Sequence, residues 1–222
     1  MLVREWMSSD VITIDENTSM MKALHIMKEN RIRRIPVTAR GTLVGIVSDR
    51  DLKEASPSRA TTLDVHELYY LLAEIRVKEI MTKNPITIHP DETVERAAVM
   101  MLEHKVSGLP VVNELNELVG VITQSDVFRA FVNITGIYKG GIQFAFSLPD
   151  QPGSIKEVAD KMREYGGRIV SILSSTDMAQ EGSRNVYIRI RELAPEALDK
   201  LEKELRQKFQ VVYVARDILK TL

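Results

Sequence analysis

The sequence predicts an α+β chain: a duplicated βαββα unit, then a single βαββαβ unit. Three observations carry this. The stretch "GIVSDRD" (Gly45–Asp51) returns as "GVITQSD" (Gly120–Asp126). Met7 recurs as Met81 and Pro36 as Pro110 at one common offset, whereas Gly45 recurs as Gly120 one residue later, so the insertion falls in a turn, where the chain tolerates it. After Asn133 the repeat ends and an alternating run begins, with Ile142, Phe144, Phe146 and Leu148 on one face. The expected segments are residues 1–54 for the first repeat, 55–80 for a helical linker and 81–132 for the second repeat. A joint over 133–141 and a last unit over 142–222 complete the chain.

Each repeat is justified in the same order. A β-branched run, "VITI" or "PITI", reads as a strand. A cap at Thr18 or Thr93 precedes a helix whose apolar positions are Met20, Leu24 and Met27 in one copy and Val94, Ala98 and Met101 in the other. The methionines read as core filler. Two strands follow, "RIPV" with "LVGIVS" and "GLPVV" with "LVGVIT", and a short helix starts at the aspartate-bearing end. In the linker, "ASPSRATT" reads as loop and "DVHELYYLLAEI" as an amphipathic helix packed on the repeat pair. In the last unit the turn "PDQPGS" leads to a helix from about Ile155 to Tyr165, stopped by Gly166-Gly167. Strands "RIVSILSS" and "NVYIRI" flank a polar hairpin. A helix near Pro195 buries Leu198, Leu201 and Leu205, and "QVVYVA" closes the unit. This order is ferredoxin-like.

Composition narrows the function. The 222 residues are 44% hydrophobic and 27% charged, as in a globular protein. Thirty basic and 31 acidic residues give a formal charge of −1, so nucleic acid is not the expected partner. The absence of cysteine excludes disulfides, thiolate metal sites and cysteine nucleophiles and fits a cytoplasmic location. Neither a signal peptide nor a run of ~18 apolar residues is present, so no membrane association is expected. The four histidines are scattered, and no P-loop, G-x-S-x-G or Gly-rich dinucleotide loop appears. The expectation is a protein that is not an enzyme and has no metal.

Ser48-x-x-Asp51 and Thr123-x-x-Asp126 each fit a helix capping box. The same geometry suits a ligand. A carboxylate accepts the two cis hydroxyls of a ribose, and the adjoining helix N-terminus favours phosphate. Spacing alone does not choose between the two.

The repeats resemble a tandem pair of CBS motifs. The resemblance rests on Gly45–Asp51 and Gly120–Asp126, on the Met-Ser and Met-Thr openings at Met7 and Met81, and on Ile35-Pro36-Val37 and Leu109-Pro110-Val111. It implies a pair that binds an adenosine-containing ligand (AMP, ADP, ATP, NAD or S-adenosylmethionine) as a regulatory ligand, with no cofactor required. Ser48, Asp51, Thr123 and Asp126 would hold ribose or phosphate, and the backbone around Ile35, Pro36, Leu109 and Pro110 would flank adenine. It also implies a homodimer. The last unit resembles an ACT domain through its element order and "DQPGS", which makes Asp150 and Gly153 candidate contacts for an amino acid. The whole order resembles AcuB-type acetoin utilisation proteins.

The expected function is therefore a regulatory sensor signalling to an unidentified metabolic partner. The alternatives are an enzyme acting on the bound nucleotide and a nucleic-acid-binding regulator, the latter supported only by Arg31-Ile-Arg33-Arg34. The first repeat carries more arginine than the second. The Ser48/Asp51 cleft is thus expected to prefer phosphorylated ligands, with Arg50 and either Arg33 or Arg34 as contacts, since neighbours on a strand point to opposite faces.

Overall fold

The computed structural model describes residues 1–56 and 73–217. They form two compact units, Met1–Val127 and Phe128–Leu222. Most of the expected linker helix lies outside the described residues. Of "DVHELYYLLAEI", only Ala73, Glu74 and Ile75 are described, and the first two are helical.

In the first unit, repeat one comprises β1 (Ile14–Asp15), α1 (Met20–Glu29), β2 (Arg34–Ala39), β3 (Thr42–Ser48) and α2 (Asp49–Glu54). A short helix, α3 (Val77–Ile80), leads into repeat two: β4 (Thr82–Lys83), α4 (Val94–Glu103), β5 (Gly108–Val112), β6 (Leu118–Thr123) and α5 (Gln124–Thr135), a helix that starts in the first unit and ends in the second, so that Thr135 belongs to the second. The expected first strands are much shorter than "VITI" and "PITI". β1 pairs in parallel with β2, and Ile88 makes a single parallel bridge to Val111.

The first helix cap differs by one residue from the expectation, and the second is the expected Thr93. Ser19, not Thr18, accepts from Lys22 N at 3.3 Å, and Thr93 accepts from Arg96 N at 3.1 Å. The buried faces are Met20, Ala23 and Met27, and Val94, Ala97 and Met101. Ala23 and Ala97, rather than the expected Leu24 and Ala98, take the middle position, the i+3 place on the same helical face.

Both helices end alike. Ile32 N donates to Met27 O and Val106 N to Met101 O, each at 3.0 Å. Arg31 (φ 53°) and Lys105 (φ 54°) hold the left-handed position that glycine usually fills in this motif.

The repeats exchange their openings, which the repeat spacing did not reveal. β4, at the start of repeat two, pairs with β3 of repeat one, placing Thr82 opposite Ile46. Reciprocally, Ser8 at the start of repeat one bridges Val121 of β6. The motif glycines explain the fit. A Cβ at Gly45 would collide with Met81 Sδ and lie 3.1 Å from Thr82 O. A Cβ at Gly120 would collide with Met7 Sδ and lie 3.1 Å from Ser8 O. Each glycine therefore seats the methionine that opens the other repeat.

The second unit runs β7 (Gly141–Pro149), α6 (Ser154–Glu164), β8 (Ile169–Ser175), β9 (Ser183–Ile190), α7 (Pro195–Lys208) and β10 (Gln210–Asp217). Its antiparallel sheet has the order β10-β7-β9-β8. Ile142, Phe144, Phe146 and Leu148 of β7 pack against Val158 and Met162 of α6 and Leu198, Leu201 and Leu205 of α7. Each such side chain contributes about 1.5–3 kcal/mol by leaving water. Buried Arg189 Nε and Ser171 Oγ both donate to Thr135 O at 2.8 Å.

Candidate functional site

Each motif sits where a strand hands over to a helix. Ser48 ends β3 and caps α2. Its N and its Oγ both donate to Asp51 Oδ2 at 2.7 Å, and Asp51 N donates to Ser48 Oγ at 3.4 Å. Thr123 repeats this at the start of α5. Thr123 N and Oγ1 donate to Asp126 Oδ2 at 2.8 and 2.6 Å, and Asp126 N donates to Thr123 Oγ1 at 3.4 Å. The capping geometry is thus realised twice. It does not exhaust the carboxylate, however. Among the described residues, Asp51 Oδ1 accepts no hydrogen bond, so Oδ2 orients the group while Oδ1 stays available. The motifs differ in access: Asp51 is partly exposed, whereas Asp126 is 3% exposed.

A cavity of about 610 Å³ opens beside the second motif, a size suited to a small organic ligand. One wall is Val121, Thr123, Gln124 and Ser125 of repeat two. The opposite wall comes from repeat one: Arg31 to Arg34 with Pro36, and Asp49. The segment from Ser8 to Ile12 and Ser107 complete it. The exchanged opening of repeat one brings Ser8 there, through its bridge to Val121.

This arrangement corrects the expected pairing of arginines with motif. Arg33 and Arg34 line the cavity at Thr123, not a cleft holding Ser48 and Asp51, which are absent from its lining. Both reach the one cavity because β2 starts at Arg34, so strand alternation does not govern Arg33. Arg50 is not in the lining either. It is exposed on α2, with Nε 2.7 Å from Glu54 Oε1 one turn on. Ile35 and Leu109 point into the core, and Pro110 is buried with its carbonyl accepting from Ile88 N at 3.1 Å.

Arg34 has a distinctive setting. Its guanidinium donates to Ser107 O and Ser107 Oγ. It fills the space where a Cβ on Gly108 would stand, and Gly108 is its own counterpart in repeat two. Burial lowers its pKa from the ordinary arginine value. Asp49 and Asp126 oppose the shift and neighbouring Arg33 adds to it.

In the second unit, a smaller cavity of about 360 Å³ lies at the start of α6. Gly153 is the N-cap at φ 95°, and Asp150 Oδ1 accepts from Arg184 Nε at 2.8 Å. Both residues line it, with Ser154 and Lys156. Among the described residues no cluster of three His, Asp or Glu could hold a metal ion, and no helix is long and apolar enough to cross a membrane.

The sequence reading missed the wall formed by Ser8, Asp10 and Ser107. The recurring Met-Ser and Met-Thr openings were the available signal, but spacing does not tell which copy an opening packs against.

The family model for the CBS domain matches residues 3–58 and 77–133. Among solved structures, the CBS domain pair of protein MJ0100, in complex with 5'-methylthioadenosine and S-adenosyl-L-methionine, is 32% identical. It covers 60% of this chain and 97% of its own, with a TM-score of 0.50. CBSX2 in complex with AMP is 31% identical over 60% of this chain and 98% of its own, with a TM-score of 0.50; CBSX2 comes from Arabidopsis thaliana. A Vibrio cholerae protein assigned to acetoin utilization (AcuB) is 28% identical over 63% of this chain and 96% of its own, with a TM-score of 0.51. Curated relatives include L-aspartate semialdehyde sulfurtransferase from Methanocaldococcus jannaschii, 34% identical over 131 residues, or 59% of this chain. The chain spans only 23% of that enzyme's length and 22% of an inosine-5'-monophosphate dehydrogenase from Korarchaeum cryptofilum.

Proposed function

This chain belongs to the CBS-domain family, and from that premise we propose that it is a non-catalytic regulatory sensor of an adenine nucleotide. The observation that carries the reading is the cavity beside Thr123, bounded by a carboxylate-anchored cap on one side and by arginines and Pro36 on the other. Thr123 and Asp126 would take the ribose, and the backbone around Ile35-Pro36 would flank the adenine. Ser48, Asp51 and the Leu109-Pro110 backbone would form a second, related cleft. The solved relatives bound to AMP and to S-adenosyl-L-methionine support an adenosine-containing ligand.

The finer parts of the reading follow. The second unit would be an ACT domain binding an amino acid at Asp150 and Gly153. The likeness to AcuB supports signalling to a partner in acetoin utilisation. The chain would act as a homodimer, for which Phe128, Phe131 and Ile134, all exposed on α5, offer an apolar face.

A thermal-shift panel of AMP, ADP, ATP, NAD and S-adenosylmethionine, followed by calorimetry, tests the central point. A ligand at 100 times its dissociation constant adds about 2.7 kcal/mol of stability. No shift with any of the five would refute the sensor reading, and turnover of a bound nucleotide would replace it with an enzyme.

A further inference from the structure

We propose that α5 couples the cavity beside Thr123 to the sheet of the second unit. Filling the cavity steadies β8 and β9, and Arg189 of β9 in turn sets how tightly the cavity holds its ligand. The ligand half of this rests on the adenine-nucleotide reading of the same cavity, and the helix half does not.

The two ends of one helix carry the inference. α5 starts in the first unit and ends in the second. Its first turn is cavity wall. Gln124 and Ser125 line the cavity, and Gln124 N donates to Ser107 O, another lining residue, at 3.1 Å. Asp126, 3% exposed, holds Thr123 at the start of the helix. The last turn is held by the second unit. Thr135 O accepts from Arg189 Nε and from Ser171 Oγ, both at 2.8 Å, and Arg189 is also 3% exposed. The chain then turns at Gly136 (φ 69°), where a Cβ would collide with Val170 Cγ1. The last carbonyls of a helix lack partners within it and carry the negative end of its dipole. A buried guanidinium and a hydroxyl on one such carbonyl therefore pin that end, and the guanidinium's bond is charge-assisted.

Little between the ends can absorb a displacement. Residues 124–135 contain neither glycine nor proline, the usual sites of a kink, and Ala130 is fully buried at mid-helix. The 12 residues span about 18 Å. The first motif has no such extension: α2 is six residues long and ends at Glu54, whereas α5 carries the Thr123 motif into the second unit.

Coupling between sites is reciprocal, so it can be read in both directions on the full chain. By hydrogen exchange with mass spectrometry, saturating AMP should slow exchange in β8 and β9 about fivefold or more, the lower end for coupled sites. Without ligand, Asp126→Ala should speed exchange in the same two strands. By calorimetry, Arg189→Met should weaken AMP binding about fivefold. Arg189→Lys, which keeps a cation at Thr135 O, should recover part of that loss. Should Arg189→Met fail to fold, Ser171→Ala, which keeps the guanidinium, carries the same test with a smaller loss. AMP binding with unchanged exchange in β8 and β9, or unchanged AMP affinity in the Arg189 and Ser171 variants, would overturn the coupling and leave the adenine reading standing. If no adenosine compound binds, that reading fails by itself. The Asp126→Ala measurement then decides the coupling, and unchanged exchange in β8 and β9 would overturn it.

Discussion

Ile35 of the first repeat and Leu109 of the second are both buried core residues, yet the residues just before them are Arg34 and Gly108. The contrast holds more widely. Ile14, Met20, Ala23, Met27, Val37 and Val47 have the counterparts Ile88, Val94, Ala97, Met101, Val111 and Ile122, and all are buried. Facing the cavity, Arg31, Arg33 and Arg34 correspond to Lys105, Ser107 and Gly108. Close packing holds the core positions to similar volumes in both copies. The cleft positions carry no such constraint, and at one of them symmetry is sterically excluded. Arg34 occupies the space beside Gly108, so an arginine on one repeat requires a small residue on the other. The inequality of the two repeats is built into their contact.

The largest expected effect tests the exchange of openings that makes this contact possible. Gly120→Val should destabilise the fold by about 3 kcal/mol, near the upper end for overpacking, although valine has the higher strand propensity. Urea denaturation would measure it. Met7→Ala in the same chain should recover part of the loss, and Met81→Ala should recover none. Rescue by Met81→Ala instead would mean that each repeat keeps its own opening.

The next effect separates the two motifs by burial. Asp126→Ala should cost about 2 kcal/mol, within the range for hydrogen bonds to a charged group, because the carboxylate is buried. Asp51→Ala should cost about 1 kcal/mol, the scale of a lost cap. Both should weaken adenine-nucleotide binding, each at its own cleft. Equal stability losses would show that the difference in exposure has no energetic consequence.

How far the sequence led depends on whether a feature is local. The helices, the β-hairpins and the face Ile142, Phe144, Phe146 and Leu148 were legible because their periodicity lies within one segment. The core counterparts were legible because the repeat writes them twice. The capping boxes were legible too, because serine or threonine three residues before aspartate is a local spacing, and the structure realises both. What could not be read was which copy faces which. Arg33 and Arg34 are near Ser48 through the β2–β3 pairing, which sets Arg34 opposite Ser48. The cavity they line nevertheless ends at Thr123, because the opening of each repeat packs on the other, which chain order does not encode. Arg50 was assigned to phosphate from its place inside the motif, whereas its position on α2 gives it Glu54 as an i,i+4 partner.

A smaller effect probes the Arg34 contact itself. Gly108→Ala should cost about 1 kcal/mol, because the new methyl group displaces Arg34 Nη1 from its Ser107 acceptors. Only the end of a flexible side chain has to move, so the loss should stay well below that of Gly120→Val. In the Arg34→Ala background the same substitution should be nearly neutral. An unchanged cost there would assign it to the backbone instead, where Ile122 O lies 3.1 Å from the added Cβ.

The smallest expected effect on stability is the sharpest on function. Arg31 and Lys105 occupy matching left-handed positions after α1 and α4. Replacing either with glycine relieves about 1–2 kcal/mol of backbone strain. It also adds about 0.5–1 kcal/mol of unfolded-state entropy and removes a cation at a helix C-terminus, worth about 0.3 kcal/mol when exposed. The net should be a small gain of about 0.5 kcal/mol, alike for the two variants because their backbones are alike. Binding should set them apart. With the other cleft disabled by Asp51→Ala, Arg31→Gly should weaken ATP binding several-fold, while Lys105→Gly should leave it unchanged, since Arg31 lines the cavity beside Thr123 and Lys105 does not. Melting curves and calorimetry on the two variants decide the matter. Equal losses of ATP affinity would mean that the repeats, unlike in their cleft residues, are equivalent in function.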